Sequence, residues 1–189
     1  MKNVANMAEV KILIRGYVSS DTGGRTCSTV TLVRDGKVIM VVDPGTLRNP
    51  RVLLKKLKKE KLTVRDVGWV CITHAHTDHY RNLGLFQNAK VLDFWGVWDK
   101  DTVKDWKRKF SSGIEIINTP GHSDDGITLL VKTARGVVAV CGDVFWKEDF
   151  PQRDEYANDA RKLAESRKRV LSSADFIIPG HGGVYRVRK

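Results

Sequence analysis

Residues 67–79 read VGWVCITHAHTDH, an apolar run that ends in a cluster of polar side chains. The run at 67–73 is short and rich in β-branched and aromatic residues, which predicts a buried strand. His74, His76, Asp78 and His79 follow within six residues. In an extended segment His74 and His76 point the same way, and a turn after them can aim Asp78 and His79 at a neighbouring point. One compact stretch therefore offers donors for two ions. Imidazole with carboxylate suits zinc first, with iron or manganese as alternatives.

Three later segments are built alike. His122 stands in TPGH after an apolar run at 114–118, Asp143 in CGD after 136–141, and His181 in PGH after 176–178. Each follows the end of an expected strand and has glycine beside it, which permits a sharp turn and close backbone approach. Loops at one end of a sheet converge, so donors distant in sequence can meet. The chain has five histidines, all at these positions: 74, 76, 79, 122 and 181. Histidine used for ordinary packing would be scattered. The distribution points instead to a metal set of His74, His76, Asp78, His79, His122, Asp143 and His181.

The flanking sequence supplies a frame for that set. Runs at 10–16, 28–34 and 37–42 predict strands, with Asp35-Gly36 as a tight hairpin signal. Asn49-Pro50 predicts a helix start, with Leu53, Leu54 and Leu57 as its buried stripe and the lysines facing water. In the second half, 114–118, 127–133, 136–141 and 176–178 predict strands. Ala160, Leu163, Ala164, Val170 and Leu171 mark one face of a long helix. No repeat or low-complexity tract interrupts the 189 residues, so a single domain over 1–189 is expected. Helices flanking two sets of strands predict an α/β fold of helix, sheet, sheet and helix layers, an αββα sandwich.

Composition narrows the class. Hydrophobic residues make up 41% and charged residues 29%, as in a soluble globular protein. No apolar run approaches the ~18 residues of a membrane span, and residues 1–10 lack the apolar core of a secretory signal. A cytoplasmic location without a membrane partner is the expectation. The three cysteines are widely spaced and make no disulfide framework. Cys71 and Cys141 end apolar runs and read as small buried residues rather than nucleophiles, whereas Cys27 lies in a polar stretch. The net charge of +11 is concentrated at 55–61, 104–109, 161–169 and 186–189. Such clusters attract RNA or other polyanions, although solvated helix faces would read the same way. The segments 17–26 and 146–156 are expected to border a substrate pocket, and Trp69, Trp95, Trp98 and Trp106 to serve in packing.

The pattern HxHxDH after an apolar strand, followed by single His, Asp and His residues, resembles the metallo-β-lactamase superfamily. The intervals are similar to those of its compact members, such as hydroxyacylglutathione hydrolases. Asp43 in VVDPGT matches a position that supports the site in that family without binding metal. NLGLF (82–86), GDVF (142–145), SRKRVL (166–171) and PGHG (179–182) resemble a branch described as nucleases that act on RNA.

The resemblance implies that His74, His76 and His122 hold one metal and Asp78, His79 and His181 a second. Asp143 would bridge them, with an ionised water between the ions as nucleophile and Asp78 orienting it. It implies a hydrolase of phosphodiester or other phosphoester bonds, with RNA among its substrates, working as a monomer or homodimer. The alternatives are a thioester, ester or lactone hydrolase of glyoxalase II type, a mononuclear iron persulfide dioxygenase, or a nucleic-acid-binding module with a vestigial site. A complete set of seven donors favours two metals and turnover. Only eight residues follow His181, so no helical thioester-binding domain is expected there.

Overall fold

The computed structural model describes residues 7–188. Most of the 1–10 segment that lacks a secretory core lies outside the described residues. The first sheet contains β1 (Glu9–Ile14), β2 (Val30–Asp35), β3 (Val38–Val42), β4 (Trp69–Cys71), β5 (Lys90–Leu92), β6 (Val97–Asp99) and β7 (Thr102–Lys104), in that order across the sheet. The second contains β8 (Ile114–Asn118), β9 (Ile127–Thr133), β10 (Gly136–Val140), β11 (Phe176–Ile178) and β12 (Tyr185–Arg186), ordered β12-β11-β10-β9-β8. The hairpin signal is realised one residue late. Asp35 pairs with Val38, which leaves Gly36 and Lys37 as the turn, with Gly36 at φ 57°. Glycine adopts that left-handed conformation without steric cost.

Period-two alternation assigns the faces. In β3, Met40 and Val42 enter the core between the sheets, while Val41 joins the cluster on the outer face. Ile114 and Ile116 of β8 and Leu129 and Val131 of β9 meet them from the second sheet. Helix α1 (Ser19–Thr22) is a single turn. Helix α2 (Arg51–Lys59) covers the outer face of the first sheet with Leu53 and Leu57. A short α3 (Thr77–Tyr80) follows β4, and α4 (Ala160–Ser173) covers the second sheet with Leu163 and Val170. These layers are the expected αββα sandwich. No helix among the described residues is long and apolar enough to cross a membrane.

Several local expectations need correction. Leu54 is 40% exposed, so the stripe on α2 is Leu53 and Leu57 alone. On α4 the buried residues are Leu163, Ser166 and Val170. Ala160, Ala164 and Leu171 face outward, and Ser166 is admitted because its hydroxyl donates to the Pro120 carbonyl. The 67–73 run contains only a three-residue strand, since its pairing with β3 and β5 spans Trp69–Cys71. The short strands β5, β6, β7 and β12 carry too little alternation to be read in advance. The start of α2 also shifts by one, with Pro50 at the capping position and Arg51 the first helical residue, although Asn49 Oδ1 still accepts the Arg51 N–H at 3.0 Å.

Direction matters most for the site. β3, β4 and β5 run parallel, as do β10 and β11, and β8 runs with β10 because both are antiparallel to β9. The loops that follow β3, β4, β8, β10 and β11 carry the candidate donors and their supports. Leu57, fully buried between α2 and the sheet, makes a direct test of this layering. Leu57→Ala should lower unfolding free energy by about 2–5 kcal/mol, whereas Leu54→Ala should stay within about 0.5 kcal/mol, both read from denaturant midpoints.

Candidate metal centre

The seven predicted donors come together as two adjoining groups. His74, His76, His122 and Asp143 form one, and Asp78, His79 and His181 the other, each with donor atoms within 4.8 Å of one another. In the first group His76 Nδ1 lies 3.0 Å from both His74 Nε2 and His122 Nε2. Asp143 Oδ2 lies 3.4 Å from His122 Nε2 and 4.0 Å from His74 Nε2. Toward the second group, Asp143 Oδ1 is 3.3 Å from His79 Nε2, and Oδ2 is 3.3 Å from His181 Nε2. Asp78 Oδ2 stands 3.5 Å from His181 Nε2. Four of the imidazoles and Asp143 are buried; His76 and Asp78 are the open members.

Each buried imidazole is oriented by a partner on its outer nitrogen. His79 Nδ1 is 2.9 Å from Asp43 Oδ2, and His122 Nδ1 is 2.7 Å from Asp154 Oδ2. His181 Nδ1 donates to the Cys27 carbonyl at 3.0 Å. Thr73 Oγ1 donates to Asp43 Oδ2 at 2.7 Å, which leaves its lone pair to face His74 Nδ1 at 3.2 Å. With each neutral imidazole protonated on Nδ1, Nε2 would be left as the inward lone pair, the usual arrangement around a metal. His76 is the exception and presents Nδ1. Asp43 thus supports the site without joining it, as expected. It also anchors the Thr73 amide at 2.8 Å and holds a left-handed φ of 49°, a conformation tolerated by aspartate but uncommon outside glycine.

Two glycines make the close packing feasible. A side chain at Gly180 would occupy the position of the Asp143 carboxylate, and one at Gly142, at φ 51°, would strike the Thr73 hydroxyl. Charges follow from the packing. Burial raises the Asp143 carboxyl, but the neighbouring His79 and His181 overcome this and hold it well below the ordinary range. Burial lowers His79, yet Asp143 and Asp43 outweigh it and hold the imidazole well above its usual value. Burial, reinforced by the charge of His79, pushes His74 well down. The donor set fits divalent ions in composition and placement. Asp143 Oδ1 and His79 Nε2 are buried without hydrogen-bond partners, and such orphaned atoms are costly unless something binds them. Neighbouring ligands on one tetrahedral ion stand about 3.3 Å apart for bonds near 2.0–2.1 Å, close to the spacings found here.

The surrounding loops match expectation in part. Segment 17–26 reaches the site through Thr26 Oγ1, which donates to Asp78 Oδ2 at 2.9 Å. Segment 146–156 packs Trp146 edge-on against His122 and His181, at 6.1 and 6.3 Å between centroids. The two segments are tied by a Lys147–Asp21 ion pair at 2.9 Å. All three cysteines are free and buried, and burial raises their thiols, so none is a nucleophile. Trp95 departs from its expected packing role, being 69% exposed. Asp154, Thr73 and the Cys27 carbonyl were not anticipated as supports. Nothing in their spacing marks them, since each meets its histidine only through the fold.

An αββα sandwich with five histidines and two aspartates gathered at one end defines a metal-dependent hydrolase with a two-metal type of site. The chain belongs to the metallo-β-lactamase superfamily. The model for the family described as Metallo-beta-lactamase superfamily matches residues 23–113. Metallo-β-lactamase domain-containing protein 1 of Xenopus laevis is 35% identical over 95% of this chain and 82% of its own length. A protein of Methanocaldococcus jannaschii described as a "probable metallo-hydrolase" is 30% identical over 77% of this chain and 71% of its own. Among solved structures, a metallo-β-lactamase-type protein of Thermotoga maritima superposes with a TM-score of 0.76 at 21% identity, covering 95% of this chain and 99% of that one. AidC, a dizinc quorum-quenching lactonase, gives 0.66 at 16% identity, over 93% and 85%. TTHA1623 in a di-iron-bound form gives 0.66 at 21%, over 85% and 90%.

The support by Asp154 can be checked directly. Asp154→Ala should weaken metal retention against a competing chelator by about 10–100-fold with the far-ultraviolet circular dichroism unchanged. Unaltered retention would show that His122 is positioned by its backbone alone.

Proposed function

We propose that the chain hydrolyses phosphodiester bonds, short RNA included, with a pair of zinc ions. His74, His76 and His122 would hold one ion, Asp78, His79 and His181 the other, and Asp143 both. The observation that carries this reading is the place of Asp143, whose carboxylate lies within 4.0 Å of an inward nitrogen from His74, His79, His122 and His181. A single iron needs only two histidines and one carboxylate, so a second group of Asp78, His79 and His181 beside the first disfavours a mononuclear dioxygenase. When bound, a pair of divalent ions supplies Lewis acidity and lets water ionise near neutral pH.

The remaining work falls to the chain. Asp78 is the more open of the two carboxylates and is steadied by Thr26. Its Oδ2 would accept a hydrogen bond from the attacking water and fix its direction. Buried Asp43 and Asp154 hold the imidazoles so that little reorganisation accompanies reaction. Preference for an anionic ester rests on the net charge of +11 and on the resemblance of NLGLF, GDVF, SRKRVL and PGHG to a branch described as nucleases. The attraction is long-range, because the basic runs of α2 and α4 point outward from the layers. Hydrolysis of an ester or lactone is the second reading. It is favoured by the likeness in fold to a dizinc lactonase and by an apolar cavity beside His74.

Metal analysis of protein purified without added metal, joined to a substrate panel, tests both. The expected result is about two zinc ions per chain, with a bis-aryl phosphate or an RNA oligomer cleaved faster than a thioester or lactone. A lactone or thioester as the best substrate would favour the second reading. Asp143→Ala should lower turnover on the order of 10³-fold while leaving the fold intact by circular dichroism, and retained activity would reject its shared role.

A further inference from the structure

Beside the metal centre lies a cavity of about 220 Å³, reached past Ala75 and His74. Its inner wall is Ile72, Leu83 and Val91, and Tyr80 and Trp95 stand on it as exposed aromatic side chains. The backbone that carries Trp95 is held in place. Asp93 Oδ1 accepts the Trp95 N–H at 2.9 Å, the Gly96 N–H at 3.1 Å and the Trp98 indole N–H at 3.0 Å. Trp95 also packs edge-on against Phe94 with centroids 5.2 Å apart. A large apolar ring kept in water by a rigid turn gains nothing for the fold, since covering it would be worth about 1.5–3 kcal/mol. Its placement is explained if something else covers it.

The charge of the cavity says what. In a chain with 33 lysines and arginines, none lines this space, and the charged groups present are the carboxylates of Asp93 and Asp125. Asp125 Oδ2 accepts the Ala75 N–H at 2.9 Å, which puts an acceptor next to the metal-binding loop. A phosphate or a continuing polynucleotide backbone would be repelled there, whereas an uncharged planar ring matches both the volume and the aromatic rim. We infer that this cavity is the subsite for an uncharged aromatic substituent of the substrate, stacked against Trp95 while its ester group lies at the metal centre. The inference rests on the hydrolytic reading above and narrows it to esters that carry a ring on the Trp95 side. Trp95 is then a specificity residue rather than one that touches the reacting atoms.

Two phosphodiesters with the same p-nitrophenyl leaving group, one bearing phenyl and the other methyl as the retained ester, provide the test on metal-loaded protein. Trp95→Ala should lower kcat/KM for the phenyl ester about tenfold and leave the methyl ester within about twofold. Trp95→Phe should restore most of the loss. In parallel, the Trp95 indole resonance, assigned through the Trp95→Phe variant, should shift saturably with benzyl alcohol and not with inorganic phosphate. Equal losses on both esters, or an indole signal indifferent to benzyl alcohol, would overturn the subsite. If the wild-type protein cleaves neither ester, the phosphodiester reading fails, and the indole titration alone decides the subsite.

Discussion

A carboxylate buried among imidazoles is the constraint on which the molecule is organised. Asp143 has its oxygens 3.3–4.0 Å from inward nitrogens of four histidines. A charge so placed is costly to bury unless it is paired, so everything around it has to be held at fixed distance. The parallel strands β10 and β11 end together and bring their loops side by side, and Gly180 lies against the carboxylate where any side chain would collide with it. Asp143 Oδ1 and His79 Nε2 face each other at 3.3 Å without a hydrogen bond, the spacing that two ligands of one ion would have.

Around this centre a second set of groups decides which nitrogen each histidine offers. Asp43 serves two of them, directly through His79 and through Thr73 for His74, and it sits at the end of β3 in a left-handed turn. Asp154 serves His122 from the segment between β10 and α4, and a main-chain carbonyl serves His181. The inner donors are thus set by partners drawn from separate loops. Tautomer and ring angle are properties of the assembled sandwich rather than of any one segment.

Charge is distributed unevenly between scaffold and mouth. The basic side chains of α2 and α4 lie on the outer faces of the helices, where they are solvated and bias the field of the whole molecule. The space next to His74 is instead apolar with carboxylates. Under the proposed function, an anionic ester would be drawn toward the protein as a whole, while the part of it that meets this wall would be selected for lack of negative charge.

Much of this was legible in the primary structure. The run into THAHTDH and the glycine-flanked His122, Asp143 and His181 marked the seven side chains that the fold brings together, because strand ends and glycine turns leave local marks. The layers were legible too, from period-two strands and the leucines of α2. Leu54, Ala160, Ala164 and Leu171 were misplaced because a helical stripe is only about as wide as the surface it meets, and that width is set by the sheet beneath. Asp154, Thr73, Asp125 and the exposed Trp95 carried no local signal. Their roles depend on which loops the two sheets bring side by side, so residue identity determined the available chemistry and tertiary contact alone decided which atoms face one another.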